Sequence, residues 1–231
     1  MYQLIKTDCF VLRRNDFRDF DRLYTVYTRE MGKVSILARS SKKPKSKLAP
    51  RLETFGQVRI NFIRGKVFNY LSGINLGPHN KNILSDYEKM TLAGEVIRFF
   101  DKLIKMEESD EDLYNLLHNI LTAIDENDSK DFEKIRIYFF WRLIDTLGYK
   151  PALDKCAICE NIVREKVVFN ITDNIVICGV CRGKGIEIDV QTLDSLKKIF
   201  TITLKDFLQI SISQRLSVLT ARAKEVKMSE L

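Results

Sequence analysis

Period-two alternation of apolar residues up to about residue 76, helical spacing beyond Gly77-Pro78 and two C-x-x-C pairs predict an α+β fold. Its parts are an N-terminal OB-fold barrel and a C-terminal helical domain with an inserted four-cysteine zinc ribbon. The expected boundaries are 1–80 for the barrel, 81–155 and 187–231 for the two parts of the helical domain, and 156–186 for the ribbon.

The barrel rests on short strands at Leu4–Arg13, Arg22–Thr28 and Val34–Arg39, the last two joined by a turn at Met31-Gly32-Lys33, so a meander is expected. Val58, Ile60 and Phe62 alternate with polar neighbours, and Phe68, Tyr70, Ser72, Ile74 and Leu76 repeat at period two. Five short antiparallel strands must close or expose long edges, and a small, partly open barrel is the economical answer.

Beyond Pro78, three amphipathic faces follow: Leu92, Val96, Phe99, Phe100, Leu103 and Ile104; Leu113, Leu116, Leu117, Ile120, Leu121 and Ile124; then Phe139, Phe140, Leu143, Ile144 and Leu147, closed by Gly148. Short connections make them antiparallel neighbours. Helices at Val190–Phe200 and Leu216–Val226 are expected to pack back on these three.

Cys156-Ala-Ile-Cys159 and Cys178-Gly-Val-Cys181 are 18 residues apart, within the spacing of a tetrahedral zinc site. A hairpin of Lys166–Thr172 and Ile175–Ile177 would bring them together. Four thiolates leave no open position for water, so one structural Zn2+ is expected and hydrolysis is not. The alternatives are buried thiols in unrelated turns or a redox dithiol. Cys9, inside an apolar strand, reads as a small core residue.

The 231 residues carry net charge +7, and by segment +10 in 1–80, −5 in 81–155 and +2 in 156–231. Contact with a polyanion therefore belongs in the first third. Between Met31 and Leu52 there is no acidic residue, while Lys33, Arg39, Lys42, Lys43, Lys45, Lys47 and Arg51 all fall there with nothing local to neutralise them. Such a loop can follow a phosphate backbone, or it can be a solvated loop kept basic for solubility. Phe55, Phe62, Phe68 and Tyr70 offer rings on which bases stack, although period-two aromatics in a small barrel are commonly core.

Walker A, H-E-x-x-H, G-x-G-x-x-G and G-x-S-x-G sequences are absent, and His79 and His118 have no evident catalytic partners. A non-enzymatic protein is expected. The acidic stretch Glu107–Asp112 reads as a solvated loop that supplies helix N-caps. No apolar run suffices for a membrane span, and MYQLIKTDCF reaches Lys6 and Asp8 before a signal peptide could form, which points to a cytoplasmic protein without membrane contact.

The order of a basic strand and loop, Ala38-Arg39-Ser40-Ser41-Lys42-Lys43-Pro44-Lys45-Ser46-Lys47-Leu48, then helices, then Gly148-Tyr149-Lys150-Pro151-Ala152-Leu153 leading into Cys156-x-x-Cys159, resembles the RecO recombination mediators over essentially the whole chain. Some members lack the cysteines; here all four are present, so the resemblance extends zinc binding to Cys156, Cys159, Cys178 and Cys181. It implies a nucleoid-associated DNA-repair protein that binds single- and double-stranded DNA and anneals complementary strands. Its implied partners are RecR and single-strand-binding protein, in loading RecA. The DNA-contact role passes to Arg39, Lys42, Lys43, Lys45, Lys47 and Arg51. The rival reading is a zinc-ribbon accessory of transcription or translation that binds RNA through its OB barrel.

Overall fold

A computed structural model describes residues 3–44, 46, 52, 55–76, 80–163 and 166–229. The first strand, β1 (Gln3–Asp16), is longer than expected because it serves two neighbours in turn. Its first half pairs antiparallel with β4 (Val58–Arg64), from Gln3↔Arg64 to Cys9↔Val58. Its second half pairs with β2 (Arg22–Thr28), from Cys9↔Thr28 to Asp16↔Arg22. Leu12 is an extra residue between the pairs Val11↔Val26 and Arg13↔Thr25, a bulge that bends the strand from one partner toward the other.

With β3 (Gly32–Ala38) and β5 (Asn69–Leu76), the order is β1-β2-β3-β5-β4 and the barrel is closed. This is the OB arrangement, and the meander expected over the first three strands is found in β1–β3. β5 then lies between β3 and β4, and a short parallel ladder, Ile36↔Asn69 and Leu37↔Tyr70, closes the side expected to stay open. Closure leaves no long unpaired edge to template aggregation. Cys9, Val26, Ile36, Val58, Ile60, Phe62 and Ile74 fill the interior. Burial pushes the Cys9 thiol far above its ordinary range, so it stays a neutral core group.

The outer faces of β1 and β2 also carry apolar residues, Phe10 and Tyr27, and helices cover them. After α1 (Lys81–Ser85), α2 (Tyr87–Leu103) and α3 (Glu111–Glu126) are started by Asp86 and Asp110, whose carboxylates accept from the first free backbone N–H groups. Tyr27 packs edge-on against Phe100 at 4.9 Å, and Phe10 meets Tyr114 in a tilted contact at 5.1 Å. The Tyr27 hydroxyl accepts from Asp110 N (3.2 Å) and donates to Asp110 O (3.3 Å); burial raises its pKa to about 12. His118 lies beside Phe10, ring centres 6.2 Å apart.

The link between α2 and α3 is more than the solvated loop expected at Glu107–Asp112. It supplies the Asp110 cap, but it also rests on the β2–β3 turn: Glu107 N donates to Lys33 O (2.8 Å), and a Cβ on Gly32 (φ +64°) would lie 2.0 Å from Glu108 O. Glycine is thus required there for both its left-handed backbone and the close approach. Beside it, the Lys33 ammonium enters the C-terminal end of α2. It donates to the carbonyls of Asp101 and Ile104 and lies 2.8 Å from the Asp101 carboxylate. The two side chains are only 9% and 11% exposed, and Arg13 adds a second cation 3.7 Å from the same carboxylate.

Residues 1–128 form one compact unit and 129–231 another, so α1–α3 belong with the barrel rather than beginning a separate body at residue 81. In the second unit, α4 (Phe132–Thr146) follows a 3-10 turn at Ser129–Asp131 and is buried on most sides through Ile135, Phe139, Phe140, Trp141, Leu143 and Ile144. Gly148 (φ +83°) ends it, with Tyr149 N bonded to Ile144 O (2.9 Å). Of the three helices expected to receive the C-terminal ones, α4 is the one that α5 (Val190–Ile199), α6 (Leu204–Gln209) and α7 (Gln214–Ser229) pack against within this unit. Trp141 Nε1 donates to Thr220 Oγ1 of α7 at 3.0 Å in a buried contact. Among the described residues, no helix is long and apolar enough to cross a membrane.

Lys33→Met leaves the Asp101 carboxylate buried beside an apolar chain and the α2 carbonyls without their donor, an expected loss of about 3–5 kcal/mol. Lys42→Met removes a pair whose acid, Asp16, is 63% exposed, and should leave the urea midpoint unchanged. Urea melts followed by circular dichroism separate the two.

Candidate functional site

Two groupings carry chemistry: a cysteine cluster in the second unit and a cationic, aromatic face on the barrel. The cysteines sit on a small sheet of β6 (Val167–Asn170), β7 (Ile175–Cys178) and β8 (Ile186–Ile188), ordered β7-β6-β8; the third strand was not expected from the sequence. The sheet is anchored to α4 through Phe169, whose ring meets Trp141 edge-on at 5.8 Å. Cys156 and Cys159 lie in a turn tied to β7 by Ala157 N→Val176 O (3.0 Å), while Cys178 ends β7 and Cys181 follows one turn on. Glu160 and Arg182, each next after a C-x-x-C pair, take left-handed φ of 59° and 42°, which turns both loops back over the sulfurs.

All four sulfurs lie within 4.8 Å of one another, with Cys159 Sγ and Cys178 Sγ 3.8 Å apart. A tetrahedral zinc–thiolate centre with ~2.3 Å bonds has edges of about 3.8 Å, whereas a disulfide needs about 2.05 Å. The backbone N–H groups of Ile158 and Cys178 donate to Cys156 Sγ at 3.5 and 3.4 Å. Donors from Cys178, Cys159 and Ile158 bring the Cys156 thiol down to about 6, and the facing Cys159 and Cys178 thiols push Cys181 up to about 12. Without a cation the four sulfurs cannot all ionise together; a dication in their midst removes that conflict. The cluster therefore fits a single tetrahedral metal ion.

On the barrel, the chain leaving β3 is locked to the β1–β2 loop. Ser40 N donates to Asp21 Oδ1 (2.8 Å) and Lys42 N to Phe20 O (3.0 Å), while Lys43 N turns back to Ser40 O (3.2 Å). Three of the nearby rings then carry a cation. Arg39 lies 4.3 Å over Tyr70, Arg18 5.2 Å over Phe17 and Lys43 5.5 Å over Phe20. Phe17 and Phe68 meet edge-on at 5.2 Å, and Phe68 and Tyr70 at 6.4 Å.

These contacts sort the sequence-derived candidates. Arg39 and Lys43 are exposed at this face. Lys42 is half-buried, 2.9 Å from Asp16, and its hydrogen bond holds that carboxyl below the usual range; with Lys33 paired to Asp101, the basic window is partly neutralised by acids distant in sequence. Lys45, Lys47 and Arg51 lie outside the described residues. Among the candidate rings, Phe62 is core at 0% exposure and Phe55 lines a depression of about 350 Å³ with Val11, Leu52, Gly94 and Ile97. Tyr70 is only half-buried because Ser72 is a bulge: β5 pairs Gly73 with Asn61 and Leu71 with Phe62, so the inward face passes from Ile74 to Leu71 and sends Tyr70 outward; Phe68, just before β5, is half-buried beside it. Arg18, Phe17 and Phe20 were missed, though two phenylalanines in the polar loop Asn15-Asp16-Phe17-Arg18-Asp19-Phe20-Asp21 are the kind of signal that marks exposed rings.

Residues 1–76 match the family described as Recombination protein O N terminal, and residues 84–217 match Recombination protein O C terminal. The chain belongs to the recombination protein O family. Similar proteins carry the name DNA repair protein RecO. One from Desulfatibacillum aliphaticivorans is 29% identical over 202 residues, covering 83% of this chain and 78% of the relative. One from Listeria innocua serovar 6a is 30% identical over 179 residues, covering 78% and 69%, and one from Desulforamulus reducens is 26% identical over 218 residues, covering 93% and 84%. The barrel face lies in the part matching the N-terminal RecO family, and the cysteine cluster in the part matching the C-terminal one.

Cys156→Ser removes the acceptor that organises both turns, and the expected result is a lower melting temperature for the second unit with that of the barrel unit unchanged. Differential scanning calorimetry reads the two transitions.

Proposed function

We propose that this RecO-family chain is a DNA-repair and recombination mediator. It binds single- and double-stranded DNA on the barrel, anneals complementary strands and, with RecR, helps load RecA onto strands coated by single-strand-binding protein. The supporting observation is the barrel face itself, where Arg18 and Lys43 lie over the exposed rings of Phe17 and Phe20 and Arg39 lies over the half-buried ring of Tyr70 on β5. Lys42, Lys45, Lys47 and Arg51, which follow in the sequence, are assigned to DNA contact as well. Annealing requires neutralising two phosphate backbones while bases find partners. Cations and ring faces supply this without a nucleophile, an acid–base pair or nucleotide hydrolysis, so the reading is of a binding protein and not of an enzyme. Its place of work is the cytoplasm, at the nucleoid.

In this reading residues 1–80 carry the DNA contact, and the ribbon of residues 156–186 braces the helical parts of its own unit, 129–155 and 187–231. Cys156, Cys159, Cys178 and Cys181 hold one Zn2+, which supplies folding free energy and no reaction step. Metal analysis of purified protein should give one zinc per chain. Cys178→Ser should lose that zinc and unfold more easily.

The deciding experiment is annealing of complementary oligonucleotides precoated with single-strand-binding protein, without ATP. The expected outcome is rapid annealing that is lost when Lys42, Lys43, Lys45 and Lys47 are all replaced by alanine. The same variant should flatten the log–log salt dependence of single-strand binding by roughly 0.7 for each phosphate contact removed. No annealing by folded, zinc-loaded protein would bring forward the rival reading as an RNA-binding accessory, decided by comparing RNA and DNA of one sequence.

A further inference from the structure

Charge alone would serve either form of DNA equally, but the barrel face also carries large rings, two of them exposed (Phe17 and Phe20) and two half-buried (Phe68 and Tyr70). Phe17 is 37% and Phe20 54% exposed, while Phe62, on the adjoining strand β4, is at 0%. Phe17 and Phe20 sit in a loop rich in Asp and Arg, where a small polar residue would complete the turn equally well. Tyr70, half-buried, is turned outward by the bulge at Ser72, and Phe68, also half-buried, stands just before β5. The edge-on contacts Phe17–Phe68 and Phe68–Tyr70 tie three of these rings together without stacking them on one another. A cation lies over each of Phe17, Phe20 and Tyr70.

We propose that Phe17, Phe20, Phe68 and Tyr70 are a base-stacking platform that makes this face selective for unpaired strands, with Arg18, Arg39 and Lys43 as exchangeable covers that pass from ring to phosphate when a strand binds. The proposal rests on the barrel face being the DNA interface and adds which form of DNA it selects and how. A cation over a ring in water is a weak contact, whereas a base on a ring is stronger and a guanidinium or ammonium against a phosphate releases counterions. Both exchanges favour the bound state. Duplex bases already stack on each other, so a duplex can use only the cations unless it is unstacked. The loops need little rearrangement: the Ser40–Asp21, Lys42–Phe20 and Lys43–Ser40 bonds already hold the cations beside the rings, which lowers the ordering cost of binding.

The test is fluorescence anisotropy of the full chain with an oligothymidine strand and with a duplex of the same length. Three variants are compared: Phe17→Ala with Phe20→Ala, Tyr70→Leu, and Arg39→Ala with Lys43→Ala. Each ring variant is expected to lower single-strand affinity about tenfold per ring while changing duplex affinity less than twofold, with the salt slope unaltered because no charge is lost. The charge variant should weaken both forms and flatten the slope. Equal losses on strand and duplex from the ring variants, or no loss on the strand, overturn the platform. If the charge variant changes neither form, the reading of this face as the DNA interface fails as well; if it weakens both while the ring variants weaken neither, only the platform fails. Phe20→Trp keeps the proposal testable should the alanine variants fold poorly. The strand should bind it with undiminished affinity and quench the added indole emission, and unquenched emission at saturation overturns the proposal.

Discussion

The ammonium of Lys33 sits where the last carbonyls of α2 would otherwise face no donor, beside the carboxylate of Asp101. Three requirements of the first unit are met at that point. The C-terminal end of α2 carries partial negative charge that a cation offsets, the buried carboxylate needs a counter-charge, and the start of β3 needs a fixed neighbour. Desolvating such a pair is expensive, so its worth lies less in net stability than in the penalty for any arrangement that separates its members. The barrel and α2 can then dock in one register. The contacts of Gly32 with Glu108, of Lys33 with Glu107 and of Tyr27 with Asp110 lie around it and depend on the same docking.

That docking also explains why the basic window is less basic in space than in sequence. Lys33 is consumed by the fold, and Lys42 shares its charge with Asp16 at the end of β1. On the barrel face Arg18, Arg39 and Lys43 have rings as partners, and a ring holds a cation in place without neutralising it.

The second unit solves a different problem. Its sheet has strands of only three and four residues, too short to stand alone, and it leans on Trp141 through Phe169. The four sulfurs gather at the end of β7, where N–H groups from two turns already favour a thiolate at Cys156. An ion of matching geometry would cross-link both turns to the sheet, adding to the small apolar core of Val167, Phe169, Val176 and Ile188.

Much of this protein is local and therefore legible in its sequence. Strand and helix faces follow from periods of two and 3.6, the caps from Asp86 and Asp110, the end of α4 from Gly148, and the gathering of four cysteines from the spacing of their pairs. The tertiary structure alone decided the position of β5 between β3 and β4, the grouping of α1–α3 with the barrel, the pairing of Lys33 and Lys42, and the outward turn of Tyr70. Each of these depends on two segments meeting. A bulge exists only where residues on paired strands fail to match one for one, and a charge is neutralised only by an acid that packing brings near. Neighbours along the chain determine which face of an element is apolar; contacts between distant segments determine which charges and rings are left for a ligand.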